Sequence, residues 1–299
     1  MALRLVTASA SHASYPSSDS PIKNHLDEVS DCIKHLEEQA FSKPLVHIID
    51  REGDSVRHLR LWQKKTCLWL VRAKNNPKVC YQEKIVSCKA LADSLTFVKT
   101  REVSYHGKNY WQWIAEADIR ITRPAVTSYK DRKREIIKGE PIAARLVVSR
   151  IYTGDEELLS EWLLLSNVHE AKSSEIALWY YWRWKIESFF KLLKSAGHHL
   201  ESWQQDSGLA IAKRLLVTSM ACVTVWEIAA NKSSEANALR SFLIKLSGRQ
   251  IEKKKIFTHP ALLAGLWVFL SMLGVMETYS QTEIQQFKET TQKVIRSLM

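Results

Sequence analysis

Four side chains able to handle a phosphate or a metal ion recur at fixed spacing in one stretch: Tyr180, Arg183, Glu187 and Lys194. The stretch from Tyr180 to Lys194 contains no Pro or Gly and predicts a helix of about four turns. At about 100° per residue, the four side chains fall within roughly 60° of one another around the axis. Trp182, Ile186, Phe189 and Leu193 point about 110° away and predict a core stripe. One flank then packs the helix down, and the neighbouring flank presents a phenol, a guanidinium, a carboxylate and an ammonium together. A lone acid among fixed cations suits a metal ion and a phosphate. The same spacing also fits a solvated face with a few ion pairs, and spacing alone leaves both open.

A second acid stands where catalytic carboxylates are often held. Leu45-Val46-His47-Ile48-Ile49 is a continuous apolar run and predicts a buried strand, with Asp50 directly after it. A carboxylate at a strand end has a fixed backbone and a side chain free to reach a crevice. A turn or capping Asp is the plainer alternative. Asp54 is expected to cap a following helix over residues 55–63. Cys67-Leu68-Trp69-Leu70-Val71 predicts another buried strand, running into Arg72-Ala73-Lys74-Asn75. The two cations there could hold phosphates, giving affinity and salt dependence without sequence choice. A solvated strand end is the alternative.

These residues carry a resemblance. Tyr180-x2-Arg183-x3-Glu187-x6-Lys194, in its Trp-Arg-Trp-Lys-Ile-Glu-x-Phe context, resembles the YREK signature of bacterial insertion-sequence transposases of the IS-four type. Asp50-Arg51-Glu52-Gly53-Asp54 is similar to that family's Asp-Arg-Glu-(Ala/Gly)-Asp, and the run through Arg72 and Lys74 to its Val-Arg-(Ser/Ala)-Lys. The resemblance spans about residues 45–200. It implies an α/β, ribonuclease-H-like fold with three metal-binding carboxylates, of which Asp50 would be the second and Glu187 the third. Two Mg2+ or Mn2+ ions about 4 Å apart would activate the attacking oxygen and stabilise the leaving one. Arg183 and Lys194 would clamp phosphates around the scissile bond, and Tyr180 would hydrogen-bond one. Glu161-Trp162-Leu163-Leu164-Leu165-Ser166 is similar to the family's Trp-Leu-Leu-Leu-Thr-Ser, whose Trp stacks on a base at the transposon end. Only the resemblance recommends Trp162 for that role, because a Trp at a strand start is more often core. The first metal Asp has no clear counterpart: Asp19, Asp27 and Asp31 precede Asp50 without a convincing apolar strand before them. A transposase truncated at its N-terminus, or a non-catalytic DNA-binding and dimerising remnant, are the two expectations.

The elements that must position these residues follow from pattern and composition. The chain has 299 residues, 45% of them hydrophobic, including 11 Trp, which suffices for a sizeable core. Its formal charge of +11 favours a polyanionic partner, most simply DNA. Five scattered Cys without a CxxC pair speak against a zinc site or a disulfide framework and fit a reducing, cytoplasmic setting. Residues 1–20 are Ser-rich and read as a loose tail. Residues 21–200 read as a partial ribonuclease-H-like core, opening on an amphipathic helix that runs to about residue 40. A β-rich insertion over about 79–160 interrupts this core. In it Trp111, Trp113, Ala115, Ala117, Ile119 and Ile121 alternate with polar or mixed residues, Gly107 sits in a hairpin turn, and Arg132-Lys133-Arg134 occupies a basic loop. Residues 201–299 read as an all-α region over 208–230, 234–246, 260–276 and a last stretch to 298. The apolar run 261–276 is short for a membrane span and predicts a buried helix. This region would serve self-association, as homodimer or with a full-length transposase, as the family does. No membrane partner is expected.

Overall fold

The computed structural model describes residues 4–6, 11–13, 25–39, 41–105, 108–128, 134–194, 198–250 and 257–298. Two compact units are present. One comprises the described residues of 25–185; the other combines 4–6 and 11–13 with those of 186–298. The division falls at Lys185/Ile186, earlier than the boundary near 200 that the sequence suggests.

The strands are β1 (Arg4–Val6), β2 (Ser11–Ala13), β3 (Val46–Ile49), β4 (Leu68–Arg72), β5 (Lys78–Tyr81), β6 (Lys84–Ser87), β7 (Val98–Tyr105), β8 (Lys108–Ile121), β9 (Ala125–Ser128), β10 (Arg134–Ile137), β11 (Ile142–Tyr152) and β12 (Leu158–Ser166). The helices are α1 (His25–Glu37), α2 (Val56–Lys64), α3 (Cys88–Ser94), α4 (Ser173–Trp182), α5 (Lys185–Leu193), α6 (Gly208–Ala230), α7 (Ser234–Ser247), α8 (His259–Thr278) and α9 (Gln281–Leu298). β1 and β2 pair antiparallel inside the stretch read as a loose tail, which is therefore in part ordered.

The first unit is built on one mixed sheet in the order β3-β4-β12-β11-β8-β5-β6, with β7 also paired to β8. β3 and β4 run parallel and the other pairs are antiparallel. The unit is thus α/β, with the long β8–β11–β12 meander at its centre. Side chains alternate between two cores, as the pleat requires. Trp69 and Val71 of β4, with Leu163 and Leu165 of β12, face α1, α2 and α3. Leu70, Leu164, Val147 and Ile114 face α4 on the opposite side. Burial on both faces explains why Cys67–Val71 and Trp162–Leu165 read as unbroken apolar runs. The strict alternation read over 111–121 holds from Ala115 onward. Earlier along β8, Gln112 and Ile114 turn inward while Trp111 is exposed.

β3 departs from the expectation of a buried strand. Among the described residues it pairs with β4 alone, so it is a sheet edge, and all four of its residues are only half-buried. The hairpin turn at 106–107 and Arg132 and Lys133 of the basic loop lie outside the described residues; Arg134 opens β10.

The second unit is helical. Its core gathers Leu192 and Leu193 of α5, Cys222 and Val225 of α6, Leu243 of α7, and Leu262 and Leu263 of α8. α6 and α8 are each long and apolar enough to cross a membrane by length and composition. The expectation of a buried helix over 261–276 holds only for the start of α8, where Ala261, Leu262, Leu263 and Gly265 are covered. Farther along, Trp267, Leu270, Met272, Val275 and Met276 are exposed.

Candidate functional site

Asp50 leaves the end of β3 and enters a single 3-10 turn, Arg51–Gly53. Its backbone is extended, and its Oδ1 accepts the Arg51 N–H at 2.8 Å, capping that turn. The turn lies tight on the sheet: a Cβ on Gly53 would come within 2.7 Å of Ile49 Cγ2 and 3.3 Å of Val71 Cγ1. Glycine lets the turn lie that close without displacing the Ile49 side chain. Asp54 does not cap α2, because Ser55 holds the N-cap position. The Asp54 carboxylate is buried instead, pairing with Arg123 and accepting the Lys74 N–H at 3.1 Å. It ties the turn after β3 to the segment after β4.

Tyr180 and Arg183 arrive from the other side of the sheet. The loop into α4 is fixed by the buried Arg145 of β11, whose Nη1 donates to the carbonyls of Val168, His169 and Ala171 at 3.0, 3.2 and 2.6 Å. Asn167 locks the same loop to β4, accepting the Trp69 N–H at 2.8 Å and donating to the Cys67 carbonyl at 2.9 Å. Glu175 accepts the Lys172 N–H at the helix start. α4 then lays Ile176, Ala177 and Tyr180 on Leu70, Ile114, Val147, Trp162 and Leu164.

The result is a polar corner on an apolar base. The Tyr180 ring is fully buried, and its hydroxyl donates to Asp50 Oδ1 at 3.1 Å. Arg183 Nη1 lies 3.6 Å from Asp50 Oδ2, with its guanidinium 5.4 Å from the centre of the Tyr180 ring. Partial burial works against ionisation of Asp50. The Arg51 N–H, the Arg183 guanidinium, the Tyr180 hydroxyl and Arg72 outweigh it and hold the carboxyl below its usual range. Burial pushes the Tyr180 phenol upward, so it stays a neutral donor at physiological pH. Arg72 therefore belongs to this corner through its field on both groups. Lys74 is exposed, and its described hydrogen bond is the backbone one to Asp54.

The single helix expected over 180–194 is two helices. Arg183 and Trp184 donate their N–H groups three residues back, to Tyr180 and Tyr181, and so end α4 before α5 begins. A 3-10 step advances the chain by a wider angle per residue, so the expected stripe is not carried across it. Trp182 and Ile186 are 47% and 44% exposed, while Phe189 and Leu193 pack in the helical core. Tyr180, placed by spacing on the functional flank, is also a core residue. Glu187 on α5 and Lys194 just after its end are exposed and belong to the second unit; Lys194 Nζ is 3.4 Å from Glu201.

Trp162 is 3% exposed. Tyr180, Tyr181 and Trp184 surround its ring with centroids at 5.4, 6.5 and 5.3 Å. In this arrangement no face of its indole is open for a base. The anchoring roles of Arg145 and Asn167 carry no motif in the sequence; an Arg amid the apolar run of β11 is the one signal that could have flagged the first.

Asp50, ionised and 48% exposed along its side chain, is chemically fit to donate one hard oxygen to a divalent cation. Arg183 and Arg72 beside it favour an anion as well. Among the described residues no three His, Cys, Asp or Glu side chains converge as a metal cage. No protein-family model matches the chain, and no curated protein matches it.

Proposed function

We propose that the chain is a transposase of the IS-four type, with a ribonuclease-H-like sheet, acting on the phosphodiester backbone of transposon ends. The observation that carries this reading is the meeting of two motifs far apart in sequence: Tyr180 and Arg183 of one engage Asp50 of the other. Arg183 and Arg72 would hold a DNA phosphate at the end of β3, and the neutral Tyr180 hydroxyl would orient Asp50 beside it. Lys74, exposed after β4, would add a backbone contact, and Lys194 would do the same from just after α5. Asp50 would give a hard oxygen to Mg2+ or Mn2+, which when bound would supply Lewis-acid stabilisation of the transferring phosphoryl oxygens, and Glu187 is the further carboxylate that the resemblance adds. The exposed apolar half of α8, with Met276 beside Ile284 of α9, lines a groove of about 720 Å³ suited to a second copy or a full-length partner.

A second reading, DNA binding without cleavage, is favoured by the way Asp50 is already engaged by Arg51, Tyr180 and Arg183. One experiment separates them. Glu187→Gln is expected to bind transposon-end duplexes like the wild type and to lose magnesium-dependent nicking completely. Nicking by the variant at the wild-type rate removes Glu187 from the chemistry. Binding by both proteins with nicking by neither selects the second reading.

A further inference from the structure

We propose that an aromatic cleft on the β insertion is a binding site for a small quaternary ammonium ion. The pleat assembles it. Trp111 and Trp113 lie two apart on β8 and so share one face of the sheet. Across the strand pairs, Trp113 stands opposite Lys99 of β7, and Trp111 stands opposite Tyr152 of β11. Phe97, Lys99, Trp111, Trp113, Tyr152 and Glu156 line an open cleft of about 600 Å³, within the range of small-molecule sites. Trp113 meets Tyr152 edge-on at 6.2 Å. The cleft shares no residue with the Asp50 corner.

One wall already holds a cation. The Lys99 ammonium rests 3.9 Å from the centre of the Trp111 ring, and among the described residues it pairs with no carboxylate. Trp111 is still 42% exposed. Arg150, 4.2 Å from the Phe97 ring, adds little opposing charge, because it pairs with Asp93 and Glu161 at 2.6 and 2.7 Å. The rim is acidic. Asp155, Glu156 and Glu157 follow one another on the β11–β12 turn, exposed and, among the described residues, without an ion pair. Glu156 has a φ of 62°, in the left-handed region that glycine usually fills. The turn holds it there: the Glu156 N–H donates to the Thr153 carbonyl at 3.2 Å, and the Thr153 N–H donates to the Glu157 carbonyl at 2.9 Å. A carboxylate thus lines the cleft from a position that strains its own backbone.

These walls select the guest. Three acids against the Lys99 ammonium set a negative field over aromatic faces, which favours a cation. A primary ammonium entering the cleft needs partners for its N–H groups in place of water. A quaternary nitrogen has no N–H to satisfy and draws its binding from the ring faces. The guest takes the Trp111 face, and the exposed, flexible Lys99 side chain moves out into solvent.

The test titrates the full chain with choline chloride by calorimetry, with ionic strength held constant by sodium chloride. A dissociation constant on the order of 1 mM is expected. The uncharged isostere of choline, with carbon in place of nitrogen, is expected to bind about tenfold more weakly. Trp111→Val keeps a good strand former at an exposed position and is expected to weaken choline binding about tenfold. Glu156→Gly suits the left-handed backbone, removes the carboxylate and is expected to weaken it severalfold. Lys99→Ala uncovers the Trp111 face, removes a like charge and is expected to tighten it about threefold. Binding by Lys99→Ala without binding by the wild type also supports the site, with Lys99 as its plug. Equal affinity for choline and its isostere overturns the assignment. Choline affinity unchanged in both Trp111→Val and Glu156→Gly, or no binding by either the wild type or Lys99→Ala, does the same.

Discussion

α4 and α8 are both apolar on nearly every side, and the molecule uses them in opposite ways. α4 seats Ile176, Ala177 and Tyr180 between strands of the sheet, so its hydrophobicity becomes core, and the one polar atom carried inward, the Tyr180 hydroxyl, meets Asp50. α8 begins the same way. Leu262 and Leu263 enter the helical core, and Gly265 lets the helix lie directly on the Leu243 carbonyl of α7. Its second half then presents Trp267, Leu270, Met272 and Met276 to the surface. A helix apolar all round is normally covered. Where this one is uncovered, contiguous apolar area of a kind costly in water is left exposed. The first unit thus concentrates its apolar material to hold a polar corner still, while the second leaves part of its own exposed.

The largest effect expected of this contrast is at the packed half of α8. Gly265→Val drives a branched side chain into the backbone of Leu243, where nothing flexible can yield. A loss of about 3 kcal/mol or more is expected in denaturant unfolding. A midpoint equal to the wild type's would mean that α7 and α8 do not pack this closely.

A smaller effect is expected at the covered helix. Tyr180→Phe keeps the ring against Trp162 and removes the donor to Asp50, for a loss of about 1 kcal/mol. The pH dependence sharpens the point. Asp50 has a folded-state pKa below its unfolded value, so its contribution is present above the unfolded value, roughly 3.9, and is lost as pH falls through the folded one. Asp50→Asn and Tyr180→Phe should both flatten the acid limb of the stability curve. An acid limb unchanged in both variants would show that the corner contributes nothing there.

The smallest change in stability is expected at the exposed half of α8. Leu270→Ser with Met276→Asp should alter unfolding by no more than about 0.5 kcal/mol. Sedimentation should nevertheless show weaker self-association than in the wild type. Identical sedimentation of the two proteins would remove α8 as the association surface.

Much of this was legible in the residues. Unbroken apolar runs marked β4 and β12 because both faces of those strands are covered. The period-two pattern marked β8, and the long helices of the second unit declared themselves by length and by the absence of breakers. Less legible was anything that depended on what lay alongside. Leu45–Ile49 has the composition of a central strand, yet β3 is an edge, because composition records which faces are apolar and not which backbone groups are paired. Trp111, Trp162 and Trp182 are one residue type in three settings: rim of a cleft, core, and surface. Asp54 does not cap α2 because its carboxylate is drawn inward by Arg123; Ser55 stands at the N-cap position without a side-chain capping bond.

The sequence by itself determined the alphabet of elements and the two acidic motifs, since these rest on local periodicity and on residue chemistry. Tertiary structure alone decided that Tyr180 and Arg183 reach Asp50, that the expected long helix ends at Arg183, and that the indole of Trp162 is covered. Each of these turns on contacts between residues distant in the chain, or on a change of about 20° per residue in the helical step. Such shifts are set by the packing of whole layers, and no short window of sequence contains them.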